Sequence, residues 1–232
     1  MPTAPPSVAR SPAWELTGLS ARSATASLDL AAPGAGLTVS GGDHLLGLDL
    51  RAPRDDNRLI DHWVRGDDCV AVYEPADPRR LRATAMWRSL GGEPPAWELV
   101  VSAQTSLVES DSTIAVRCTL AAGDLLAGRY ANGRIAWTTP GAGVFPPEAT
   151  CLLVRRNERA TLVAVHPADA RRITARLGAG RVDVACWLFS AAIEKGVLLR
   201  SRVLAACGPA AETGWADALV AGFAASPPPL TT

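Results

Sequence analysis

Short runs of alternating apolar and polar residues, cut by Gly, Pro, Asn and Asp, recur along almost the whole chain. Successive side chains of a β-strand point to opposite faces, so alternation buries one face and leaves the other to solvent. Twelve such runs read as strands: Ala26–Leu30, His44–Arg51, Arg58–Arg65, Cys69–Glu74, Arg82–Arg88, Trp97–Thr105, Thr113–Leu120, Gly133–Thr138, Cys151–Arg156, Arg159–His166, Arg181–Ser190 and Val197–Ala206. Gly66-Asp67, Asn132-Gly133 and Asn157-Glu158 sit where hairpins would close. The Pro- and Gly-bearing stretches Glu74–Arg80, Gly91–Pro95 and Gly141–Pro147 read as loops. About a dozen short strands at this spacing point to an all-β, two-sheet β-sandwich and away from an α/β fold.

One segment carries a helical period. Within Ala210–Ala225, Trp215, Leu219 and Phe223 recur at i, i+4 and i+8, and Ala218 and Gly222 widen that stripe. Thr213 is placed to cap the N-terminus, Asp217 lies near the first turn, and the proline run after Ser226 stops the helix. Pro167–Leu177 fits either a helix or a loop followed by a strand. The expected architecture is therefore a β-sandwich with one C-terminal α-helix. Residues 1–12 read as a loose arm and residues 13–232 as a single domain. A chain of 232 residues buries a sizeable core without disulfide or metal staples.

Charge and cysteine usage narrow the function classes. Lys+Arg is 23 and Asp+Glu is 23, so no basic excess exists to attract nucleic acid or anionic lipid. No apolar run of about 18 residues is present, so no membrane helix is expected. Cys69, Cys118, Cys151, Cys186 and Cys207 are odd in number, none forms a CxxC pair, and each sits in an apolar segment. They read as reduced core residues, not zinc ligands, and no metal or cofactor is called for. The N-terminal stretch MPTAPPSVARSPAW has prolines where a secretion signal needs an apolar stretch, which points to a cytoplasmic protein.

The alternation also assigns faces. In a hairpin closed by Gly66-Asp67, Arg65 lies opposite Asp68, Val64 opposite Cys69 and His62 opposite Ala71. Ile60, His62, Val64, Cys69, Ala71 and Tyr73 then face the core. Asp61, Trp63, Arg65, Asp68, Val70, Val72 and Glu74 face outward. In Arg82–Arg88 the residues Arg82, Thr84, Met86 and Arg88 share a face, and in Val197–Ala206 so do Leu198, Arg200, Arg202 and Leu204. In Arg181–Ser190, Val182, Val184, Cys186 and Leu188 face the core and Arg181, Asp183, Trp187 and Phe189 the other way. An aromatic plate beside a carboxylate and guanidinium groups grips a sugar by stacking on its ring and hydrogen-bonding its hydroxyls. Asp61, Trp63, Arg65 and Arg88 are the candidate ligand-binding residues. The plainer reading of the same face is a solvated sheet surface with cross-strand ion pairs such as Arg65 with Asp68. His62 has no catalytic partner at motif spacing, and Asp55-Asp56 and Asp67-Asp68 match no calcium loop. Arg65-Gly66-Asp67 reads as a turn.

The stretches DHWVRGDDCVAVYEP, RRLRATAMWR and AAIEKGVLLRSRVLAAC resemble uncharacterised bacterial β-rich proteins. Many strands followed by a terminal helix also resemble the supersandwich of galactose-mutarotase-like and glycoside-hydrolase accessory domains. The His and Glu pair that such a resemblance implies for a mutarotase site is not identifiable in this chain. Three functions stay open. The first is a non-catalytic protein that binds carbohydrate or another polar ligand. The second is a carbohydrate-active enzyme with paired carboxylates, aided by His62. The third is a subunit of a homo-oligomer whose interface is the Arg- and Trp-bearing face.

Overall fold

The computed structural model describes residues 13–50, 57–75, 81–111, 113–141, 145–169, 172–189 and 192–227. The expected arm, residues 1–12, lies outside them, as do Asp55 and Asp56. Strands are numbered in chain order. One sheet runs β1 (Glu15–Thr17), β2 (Ser20–Arg22), β3 (Ala26–Asp29), β4 (Leu37–Val39), β5 (His44–Asp49), β11 (Ala115–Ala121), β17 (Arg181–Trp187) and β16 (Arg172–Gly178). The second runs β13 (Arg134–Thr138), β12 (Asp124–Ala131), β14 (Cys151–Arg156), β15 (Arg159–Val165), β19 (Leu198–Pro209), β9 (Ala96–Gln104), β8 (Arg82–Ser89), β7 (Asp68–Pro75) and β6 (Asn57–Arg65). A small pair, β10 (Glu109–Asp111) and β18 (Ala192–Glu194), stands beside them, and α1 spans Gly214–Ala225. The described strand pairs are antiparallel throughout, giving the two-sheet sandwich that the alternation implies.

The main core lies between the sheets. Leu28, Leu48, Val116 and Val184 from one sheet meet Ala71, Ala85, Trp87 and Val203 from the other. Three buried polar handles tie the layers together. Trp87 Nε1 donates to the Leu46 carbonyl at 3.0 Å, Tyr73 Oη to the Leu30 carbonyl at 2.9 Å, and Trp14 Nε1 to the Asp67 carbonyl at 3.1 Å. Each bond satisfies a ring donor that burial would otherwise strand at a cost of about 1–3 kcal/mol. All five cysteines are buried and free.

The outer face of the second sheet is divided. Over β14, β15 and β19 the helix α1 lies on Leu153, Leu162, Leu204 and Ala206. Its buried stripe is Ala216, Val220 and Phe223, with Trp215 and Leu219 half-buried at its flank. Ala218 and Gly222 are exposed, so they do not widen the stripe as the sequence suggests. The contact line is centred one residue later than the Trp215–Leu219 periodicity alone indicates. Burial of Val220 and Phe223 contributes about 1.5–3 kcal/mol each. The helix begins at Gly214, and Thr213 has helical dihedrals and no side-chain cap bond. Among the described residues, no helix lies on the half of the face over β9, β8, β7 and β6.

Three other expectations change. Gly66 takes a φ of +59° in the turn, and the pairs Arg65–Asp68, Val64–Cys69 and His62–Ala71 form. A register shift between Leu59 and Asp61 then leaves Ile60 bulged and 37% exposed, while Leu59 packs on the core opposite Tyr73. A bulge inserts one residue and so reverses the facing of everything before it. Phe189 belongs to the core, because β17 ends at Trp187 and the alternation ends with it. The strands β1, β2, β4, β10, β12 and β18 lie outside the runs expected to be strands. Most are three residues long, and β12 buries Leu125 and Ala127 beside half-buried Leu126, which blurs its alternation. Pro167–Leu177 resolves into a turn at 167–169 and strand β16.

Candidate ligand-binding groove

Register across the uncovered half of the sheet places outward residues in rows perpendicular to the strands. One row reads Trp63, Val70, Met86, Val100 and Arg202, each directly opposite the next. On one side the row is Arg65, Asp68, Arg88, Glu98 and Leu204. On the other side it is Asp61, Val72, Thr84, Ser102 and Arg200. The middle row is apolar over three strands, and Val70, Met86 and Val100 form a small buried cluster of their own. The flanking rows are polar except for Val72 in one and Leu204 in the other. Their side chains bank a groove of about 860 Å³ whose lining extends from Trp63 on β6 to Leu198 and Arg200 on β19.

The charged row is an ordered ladder. Arg88 meets Asp68 side-on, Nε to Oδ1 at 2.7 Å and Nη2 to Oδ2 at 2.9 Å. This two-bond fork fixes the guanidinium plane, and the Asp68 hydrogen bond holds Arg88 firmly in its charged form. Next in the row, Glu98 is 5% exposed, lies outside the groove lining and is bonded by Arg202. Burial raises the Glu98 pKa above its ordinary value, and the Arg202 and Arg88 charges act against that rise. Arg202, 2% exposed, donates to Glu98 Oε1 at 3.4 Å, to Ser226 Oγ at 3.0 Å, and to the carbonyls of Ser226 at 2.8 Å and Pro227 at 3.2 Å. Its guanidinium also stands 5.0 Å from the Phe223 ring. It thus binds the C-terminal end of α1, where a helix leaves carbonyls unsatisfied.

Of the residues singled out by sequence, Trp63, Arg65 and Arg88 line this groove together. Trp63 is 40% exposed, unusual for so large an apolar surface. Asp61 shares their face but lies beyond the lining residues, and its Oδ1 accepts the backbone N–H of His62 at 2.8 Å. The apolar floor and the β9 residues Ser102 and Gln104 escaped the sequence reading. Alternation had already put Val70 and Met86 on the outer face, but only the strand order brings Val100, Ser102 and Arg200 alongside them. The carboxylates of the lining are the neighbours Asp67 and Asp68. Among the described residues no three His, Cys, Asp or Glu side chains gather in a group able to hold a metal ion.

No protein-family model matches the chain, and no curated protein matches it in sequence. Solved structures do match. A mutarotase candidate from Salmonella typhimurium aligns over 84% of this chain and 95% of its own, with 13% identity and a TM-score of 0.50. The two chains share the two-sheet sandwich fold. A candidate aldose 1-epimerase from Escherichia coli K12 aligns over 66% of this chain and 68% of its own, with 9% identity and a TM-score of 0.47. For a heparan sulfate lyase from Pedobacter heparinus the figures are 73% of this chain and 24% of that one, 10% identity and a TM-score of 0.42. No helix of the described residues is long and apolar enough to cross a membrane.

Proposed function

We propose that this protein binds carbohydrate in the groove on the outer face of β6–β9. The observation that carries the proposal is Trp63. Its indole, 40% exposed, ends an apolar row that is flanked on both sides by polar rows. A sugar ring has apolar C–H faces and hydroxyl edges. The indole takes a face by stacking, and fixed donors and acceptors take the edges. Arg88 suits the second task, since Asp68 holds it still and its remaining N–H groups stay available. A hydrolytic carboxylate pair is less well supported: Asp68 is engaged by Arg88, and its lining neighbour Asp67 is adjacent in the chain.

The test is a screen of mono- and oligosaccharides by calorimetry, repeated with Trp63→Ala. Wild type binds at least one saccharide, and the variant loses about tenfold in affinity, the order expected for one lost stacking contact of about 0.5–1.5 kcal/mol plus its buried area. Binding that Trp63→Ala leaves intact, or no saccharide binding at all, overturns the proposal.

A further inference from the structure

Resting on that carbohydrate reading, we infer that the groove takes a neutral oligosaccharide chain laid across the strands, and not a single sugar. Shape is the first argument. The row from Trp63 through Val70, Met86 and Val100 crosses four adjacent strands, and the lining continues onto a fifth, β19. Neighbouring strands lie about 4.8 Å apart, so β6 to β19 spans about 19 Å. One strand spacing is close to the length that one pyranose ring adds to an extended chain. A volume of about 860 Å³ stands near the top of the roughly 300–1,000 Å³ range of small-molecule sites. A monosaccharide stacked on Trp63 would leave the Met86 and Val100 end of the groove unfilled.

The second argument is the order of the rows. The apolar stripe has a polar bank on each side, with Asp68 and Arg88 on one and Thr84 and Ser102 on the other. A flat saccharide chain has the matching section, with C–H faces in the middle and hydroxyls along both edges. Residues two apart on a strand are about 6.6 Å apart, so the banks are separated by about 13 Å, wide enough for a ring with its edge hydroxyls.

Charge supplies the third. Two of the three lining arginines are engaged within the groove: Arg88 is bonded to Asp68, and Arg200 donates to Ser102 Oγ at 3.3 Å. At the rim Arg65 neighbours Asp67 in the turn. The lining thus carries three arginines and two aspartates, a surplus of one charge, too small to hold a polyanion, whereas these fixed groups still donate and accept hydrogen bonds with neutral hydroxyls.

The experiment titrates the full chain with cellotetraose, xylotetraose and chitotetraose, with glucose, xylose and N-acetylglucosamine, and with tetragalacturonate, at low and high salt. A neutral tetrasaccharide is expected to bind at least about tenfold tighter than its own monosaccharide, with less than about a twofold change between 0.05 and 0.5 M salt. Thr84→Tyr, which fills the middle of one bank, lowers tetrasaccharide affinity about tenfold or more. Ser102→Tyr does the same further along the groove, and circular dichroism confirms that each variant is folded. A monosaccharide that binds as tightly as its tetrasaccharide refutes the inference and leaves the carbohydrate reading standing. So does tetragalacturonate binding best, with strong salt dependence. Absence of any saccharide binding removes both together.

Discussion

Replacing Arg202 by Met tests the construction behind the groove. The guanidinium is 2% exposed and bonds Glu98, Ser226 Oγ and the carbonyls of Ser226 and Pro227. Met conserves most of the aliphatic stem, so the loss is electrostatic. It leaves the Glu98 carboxylate buried without its closest cation and two carbonyls at the end of α1 without a donor. Breaking a buried pair from one side costs about 3–5 kcal/mol. In a chain of this size 1 kcal/mol moves the Tm by about 2–4 °C, so a fall of about 10 °C is expected. The pH dependence carries more information. Arg202 is the largest influence opposing the burial-driven rise of the Glu98 pKa, so its removal raises that pKa further. The folded variant then binds a proton over a range in which the unfolded chain does not. The contribution of this group to stability is fully present below the ordinary Glu value of 4.5 and is lost as pH rises through the raised value. Urea unfolding of both proteins at neutral pH and near pH 4.5 should therefore show a large deficit at neutral pH and a smaller one in acid. The double variant Glu98→Gln, Arg202→Met should recover part of the neutral-pH loss. A deficit below about 1 kcal/mol at neutral pH, or one unchanged by acid, would refute the assignment of this pair as the anchor of α1.

Two further tests concern packing. In Gly208→Ala the new methyl would stand 2.5–2.8 Å from three atoms of the Trp215 indole, so the indole or α1 must shift, at a cost of about 1–3 kcal/mol in urea unfolding; a neutral effect would mean that this end of the helix is loosely seated. Burial pushes the Cys69 thiol up to about 11 and those of Cys118 and Cys151 to about 12, so a thiol reagent at pH 8 should be nearly inert towards the native protein and should titrate five thiols after denaturation. Rapid native reaction of any one of the five would show that the sheets open on the assay timescale.

Local alternation determined a good deal about this protein. The sandwich class, the Gly66-Asp67 hairpin with its Arg65–Asp68 register, and the outward facing of Trp63, Thr84, Met86, Arg88 and Arg200 all follow from the period of two, because pleating alone sends neighbouring side chains to opposite faces. The C-terminal helix was equally plain from its 3.6-residue period. Alternation says which face a residue takes, but not which strand lies next to it. Only the tertiary structure brings β19 beside β9 and β9 beside β8, and so turns scattered outward residues into rows with an apolar stripe between two polar banks. It also decided that α1 covers one half of that face and leaves the other half open, and that Arg202 is the helix anchor while Arg200, two residues earlier on the same strand, lines the groove. Those outcomes depend on contacts between segments up to about a hundred residues apart, such as Arg202 with Glu98 at a separation of 104, and no local period encodes them.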